Sequence, residues 1–189
     1  MTKIVFFDLE TTGLDPKIHG IHQLGGCIEI NGKVVREFDF KIKPPSGIQV
    51  DEGALKVAGI TLEDLKSYPT EDFVFMAFRK MLGEFVDKFD KYDKAFLAGW
   101  NNAVFDNAFL RAFFERNGDQ YFGSWFWSNT IDVMILASEY LKHDRATFPN
   151  FKLVTVAEKL LPFVNPEKAH DANYDIEMTR NIYHLITNI

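Results

Sequence analysis

Two acids, Asp8 and Glu10, stand two positions apart in "FFDLETTG", directly behind an apolar run. Strand residues two apart point to the same face, so both carboxylates project together from the end of a buried segment. Asp106 opens "FDNAFLRAFF", where helical spacing puts it on one stripe with Leu110 and Phe113. Asp175 heads the last amphipathic segment, in line with Met178, Thr179, Ile182 and Ile186. A lone charge at the entrance to a core is expensive, and four carboxylates converging there repel. Oxygen-only ligation is the preference of Mg²⁺ and Mn²⁺. The expectation is therefore a pair of such divalent cations, which would bind phosphate oxygens and activate water for in-line displacement. Plainer roles stand beside this one: Asp8 as a turn or cap carboxylate, and Asp106 as an acid favoured by a helix N-terminus.

His170 lies five residues before Asp175. In a continuous helix the two would point apart, so His170 is placed on a loop just outside it, with Asp171 as the N-cap. An imidazole there titrates near neutral pH and could take a proton from water. His19, His22, His143 and His184 have no comparable acidic context and are read as surface residues.

The elements that must position these groups follow from pattern. "KIVFFDLE" reads as a strand buried on both faces, broken by the turn chemistry of "TTGLDP". "HQLGGCIEI" and "KVVREFDFKIKP" read as two more strands, joined by a hairpin at Asn31-Gly32. Residues 51–59 read as a short helix. Between 71 and 92 a helical period runs through Val74, Phe78, Met81, Leu82, Phe85 and Phe89. "KAFLAGWN" is a fourth strand and "FDNAFLRAFFERNG" a helix ending at Gly118. Helices over 131–142, 152–161 and 172–187 complete the order. This is an α/β chain whose sheet opens with antiparallel neighbours and gains a parallel strand through a helical crossover. No internal repeat, low-complexity tract or linker stands out.

Composition narrows the class. A 189-residue chain suits one domain. A net charge of −6 disfavours a sequence-indifferent binder of long duplex, although bound cations reverse the sign locally. Cys27 is the only cysteine, which excludes an intrachain disulfide. The start lacks the apolar stretch of a signal peptide. No apolar run reaches the roughly 20 residues of a membrane span. The expectation is a soluble, cytoplasmic protein.

"FDLETTGLDP", "GWNNAVFDNAFL" and "HDANYD" resemble, in order, the three motifs of the DnaQ-like DEDDh 3′–5′ exonucleases, the family of polymerase proofreading subunits and RNase T. The resemblance covers roughly residues 3 to 187. It implies a ribonuclease H-like fold, a mixed sheet of antiparallel front strands plus parallel strands flanked by helices, as a single exonuclease domain over 1–189. It implies two divalent cations on Asp8, Glu10, Asp106 and Asp175, with Asp8 bridging them and His170 as general base. Thr11, Thr12 and Leu14 fall where such enzymes contact the terminal nucleotide. Turn chemistry and packing are the other reading of these three. The implied reaction hydrolyses the last phosphodiester of a single-stranded DNA or RNA 3′ end and releases a nucleoside 5′-monophosphate. A polymerase is a partner the resemblance suggests, and an exposed aromatic patch could instead make a dimer.

One departure is Trp100-Asn101, where the family often has His-Asn. Asn101 is placed at substrate or as a brace, and Trp100 in packing or base stacking. Phe122, Trp125, Phe126 and Trp127 read as core filling or a protein contact ahead of stacking. Asp132 reads as structural. Two rivals remain: a non-catalytic nucleic-acid-binding or assembly module on the same fold, and a haloacid-dehalogenase-type phosphatase with Asp8 as nucleophile. The phosphatase would need Asp, not Glu10, at the +2 position.

Overall fold

The computed structural model describes residues 1–165 and 172–187. Among these residues are five strands, β1 (Lys3–Thr11), β2 (Ile21–Ile30), β3 (Lys33–Lys41), β4 (Phe96–Gly99) and β5 (Ile131–Asp132). They form one mixed sheet in the order β3-β2-β1-β4-β5. The pairs β1–β2 and β2–β3 are antiparallel, and β1–β4 and β4–β5 are parallel. The β2–β3 hairpin turns on Asn31 (φ 49°) and Gly32 (φ 81°), the left-handed pair that a two-residue turn demands.

Strand β1 is central, and alternation divides its side chains between two cores. Val5, Phe7 and Leu9 join one, with residues of α3 (Glu71–Gly83), α4 (Asp106–Arg116) and α5 (Phe122–Trp125). Ile4 and Phe6 join the other, with α6 (Val133–Tyr140), α7 (Leu153–Leu160) and α8 (Ala172–Thr187). Asp8 and Glu10 continue the Phe6 alternation, toward the layer that contains α8. Two short helices, α1 (Glu52–Ala58) and α2 (Leu62–Ser67), cross before α3. Thr61 and Asp64 close a reciprocal capping box at the start of α2, a helix the sequence reading passes over.

Several expectations need correction. Helix α3 stops at Gly83 instead of continuing to 92. Phe85 still packs on the core, but Phe89, on the same periodic stripe, is 89% exposed. Beyond Gly83 the carboxylates of Asp87 and Asp90 accept backbone N–H groups two residues on. That local bonding competes with helix. A short repeat of Asp-Lys pairs runs through this turn, so the absence of repeats holds only for larger units. His22 is 2% exposed and lies inside the fold, not on its surface. His184 is also largely buried, bound to Glu29. Phe122, Trp125 and Phe126 are core, whereas Trp127 is half-exposed beside Phe96.

Candidate active site

The acids gather at the C-terminal end of β1. Asp8 lies two residues beyond Phe6, the last residue of β1 paired with β4. Its carboxyl accepts from the Leu9 backbone N–H. It keeps some surface where it borders a cavity of about 120 Å³, together with Asp175, Trp100, Leu153 and Thr179. Protein crowds it elsewhere, and this desolvation is the largest reason its pKa stands well above the ordinary value. Asp106, Glu10 and Asp175 add to the rise, in that order, by like-charge repulsion.

Asp106 reaches the same place from α4. Loop residues 100–105 carry the chain from β4 to the helix start, and Leu110 and Phe113 bury that face completely. Asp106 is itself 6% exposed. Burial raises its pKa first. Its own and the Leu9 backbone N–H groups oppose the rise, and Glu10 and Asp132 push it further up. Asp175 is brought in by α8, whose Met178, Thr179 and Ile182 are buried as the stripe requires. The four acids thus come from β1, α4 and α8 and feel one another's charge. Among the described residues, no set of three or more His, Cys, Asp or Glu side chains is arranged to hold a metal ion as it stands. The donor set is nonetheless all oxygen, and like charges add to the raised pKa values of both Asp8 and Asp106. That combination fits a hard divalent cation. His170 and Asp171 lie outside the described residues.

The remaining site residues divide. Thr12 is fully buried, its hydroxyl donating to Gln49 O at 2.8 Å and accepting from Gly20 N at 3.0 Å, so its side chain serves the fold. The Thr11 hydroxyl donates to Gly13 O at 2.8 Å. Leu14, at the tip of this turn, is 82% exposed. Gly13 is needed for close approach: a Cβ there would meet the His19 ring at 2.2 Å. Asn101 is exposed with φ 59°, its backbone N–H bound to Asp132 at 3.1 Å. Asp132 also accepts from Ala103 N and caps α6 through Met134 N and Ile135 N, the structural role read from sequence. Trp100 stacks on Phe151, with ring centroids 6.2 Å apart.

Sequence reasoning missed Asn102. It is fully buried, donates to Thr130 Oγ1 at 2.9 Å, and packs against Gly99, where a Cβ would stand 2.8 Å from its own. Its signal was only the neighbouring Gly-Trp-Asn-Asn run.

The sequence pattern of the exonuclease family of RNase T type matches residues 5–183. The chain belongs to the DnaQ-like exonuclease family. Among curated relatives of this exonuclease domain is the PolC-type DNA polymerase III of Mycoplasmopsis pulmonis. It is 32% identical over 180 residues, which cover 95% of this chain and 11% of the polymerase. The PolC-type polymerase of Pediococcus pentosaceus is 29% identical over 183 residues, 97% of this chain and 11% of its own. The exonuclease domain therefore spans about a tenth of the length of these relatives. Solved structures share its fold. The zinc-bound form of the E. coli exonuclease I–ssDNA complex superposes with a TM-score of 0.78 at 21% identity, over 100% of this chain and 41% of that one. E. coli exonuclease I in complex with a dA16 oligonucleotide gives 0.79 at 20% identity, over 100% and 41%. The mixed sheet is thus the ribonuclease H-like exonuclease fold.

Proposed function

We propose that this chain is a metal-dependent 3′–5′ exonuclease of single-stranded nucleic acid, acting on DNA ahead of RNA. The observation that carries the reading is the repulsion focused on Asp8 by Asp106, Glu10 and Asp175 beside an open cavity. Such a cluster is destabilising unless positive charge joins it. Asp8, Glu10, Asp106 and Asp175 would hold two divalent cations, Mg²⁺ or Mn²⁺, with Asp8 shared. When bound, the ions would supply phosphate affinity and lower the pKa of water.

The chain's own residues would do the rest. Leu14 would pack against the terminal nucleotide, held out by the turn that Thr11 and Thr12 brace. Asn101 would reach the strand from the loop pinned by Asp132. His170 would take the proton from the attacking water, and the product would be a nucleoside 5′-monophosphate. The PolC-type polymerases among the relatives support DNA as substrate and a polymerase as partner.

The test uses 5′-labelled DNA and RNA strands side by side with Mn²⁺ or Mg²⁺. The expected products are a ladder shortened from the 3′ end and free 5′-monophosphates. Internal cuts, or a label released at once from the 5′ end, contradict the polarity.

A further inference from the structure

Between α3 and β4, Asp87-Lys88-Phe89, Asp90-Lys91-Tyr92 and Asp93-Lys94 repeat an acid–lysine pair at every third position. The acids are consumed locally. Asp87 Oδ1 accepts from Phe89 N at 3.0 Å, and Asp90 Oδ1 from Tyr92 N at 2.9 Å. Asp93 accepts from Asp87 N at 2.9 Å and pairs with Lys3. The lysines are not consumed this way. Lys88 Nζ lies 5.3 Å from the Phe89 ring centroid, Lys91 Nζ 4.8 Å from that of Tyr92, and Lys94 Nζ 5.4 Å from that of Trp127. Phe89 is 89% exposed and Tyr92 73% exposed. The turn also borders a groove of about 480 Å³ floored by Phe85, Val86 and Trp125. Two exposed rings, each beside its own ammonium, thus share a surface with carboxylates held in place by backbone N–H groups and, for Asp93, also by Lys3.

We propose that the turn over 87–94 is a second contact for single-stranded nucleic acid, with Phe89 and Tyr92 stacking on bases and Lys88 and Lys91 meeting phosphates. Open rings are sequence-tolerant stacking platforms, and nearby cations track the backbone. A polyanion bearing flat faces complements that pairing. An apolar protein surface would instead bury the ammoniums without counter-charge, which is unfavourable. The turn is anchored to Lys3, at the start of β1, whereas Glu10 stands near its other end. Seven residue-to-residue steps along the strand separate them by about 23 Å. At that distance from the acids, the contact would serve nucleotides upstream of the reacting end. It rests on the reading of the chain as a nuclease of single strands, and its signature is dependence on strand length.

The test measures fluorescence anisotropy of labelled oligothymidylates of about 5 and about 20 nucleotides, chosen to straddle the usual site sizes. EDTA is present so that nothing is cut. The full chain is compared with the Phe89→Ala/Tyr92→Ala variant. Wild type should bind the long strand at least about tenfold more tightly than the short one, and the double variant should lose most of that ratio, since stacking on each ring is worth about fivefold or more. Lys88→Gln/Lys91→Gln should flatten the salt dependence by about 0.7 per lysine. Phe89→Trp/Tyr92→Phe should keep the length effect, which separates stacking from damage to the fold. Unchanged length discrimination in the double variant overturns the proposal. If that variant alone also loses a self-association seen in wild type, the rings belong to a protein contact. Hydrolysis of the short strand with Mn²⁺, run in parallel, tests the nuclease reading separately: its absence would sink that reading while the binding data still judge the second contact.

Discussion

Arg180 Nε donates to Glu29 Oε2 at 2.6 Å, joining helix α8 to strand β2 through a carboxylate that is only 2% exposed. His184 Nε2 lies 2.7 Å from the same oxygen. The pair fixes the helix that presents Asp175, five residues before Arg180. Arg180→Leu should therefore cost about 3 kcal/mol by leaving a buried carboxylate with His184 but without its arginine. Adding Glu29→Met should recover part of the loss, because it removes that charge. Urea unfolding of both variants checks this, and simple additivity of the two effects would contradict it.

His22 makes a pH prediction. Both ring nitrogens are buried, with no hydrogen-bond partner among the described residues. Burial first, and Lys41 second, lower its pKa from 6.5 to about 4. The unfolded chain binds this proton more readily than the native one. Its contribution to stability is thus full above pH 6.5 and is lost as pH falls toward about 4, to a total of about 3 kcal/mol. His22→Leu should remove that component from the stability-versus-pH curve. An identical acid limb in the variant would refute the assignment.

Gly99 links packing to the site. A Cβ there would lie 2.9 Å from Phe7 O, the carbonyl just before Asp8, and 2.8 Å from Asn102 Cβ. Backbone cannot yield as a flexible side chain can. Gly99→Ala should destabilise by about 2 kcal/mol and, by shifting β1 against β4, lower kcat about tenfold or more. Denaturation midpoints and steady-state rates measure both, and a stable variant with full activity would contradict the close-packing argument.

The acid cluster opposes folding when no cation offsets it. The Asp8 pKa is raised, so the stability tied to it is present at low pH and declines as pH rises through the elevated value. In EDTA at pH 7, Asp8→Asn should stabilise the fold, while Mn²⁺ should raise the melting temperature of wild type and much less that of the variant. Equal Mn²⁺ stabilisation of the two proteins would place the cation elsewhere.

The arrangement of acids was legible because each sits near one end of a periodic segment. The strand period put Asp8 and Glu10 on one face, and the helical stripes of Leu110–Phe113 and Met178–Ile182 fixed which way Asp106 and Asp175 enter. Phe89 misled for the same reason. It continues the α3 period by number, but the Asp residues at 87 and 90 offer the backbone competing turn bonds that a hydrophobic pattern does not register. Strand β5 went unseen because two residues carry no alternation, and one of them, Asp132, also reads as a helix cap. His22 had no signal at all, since a lone imidazole looks alike on either face of a strand. The fold around Thr12 likewise depends on Gly20 and Gln49, partners that only the closed loop brings together.

The most direct test is hydrolysis of a 5′-labelled single strand by wild type, Asp8→Asn, Asp175→Asn and His170→Ala, each with Mn²⁺ and with EDTA. Wild type with Mn²⁺ should shorten the strand stepwise from its 3′ end and stop in EDTA. The two carboxylate variants should fall by at least about 1,000-fold, and His170→Ala by about 100-fold or more. Undiminished shortening in EDTA, or by Asp8→Asn with Mn²⁺, would contradict a cation-holding acid cluster as the seat of the reaction.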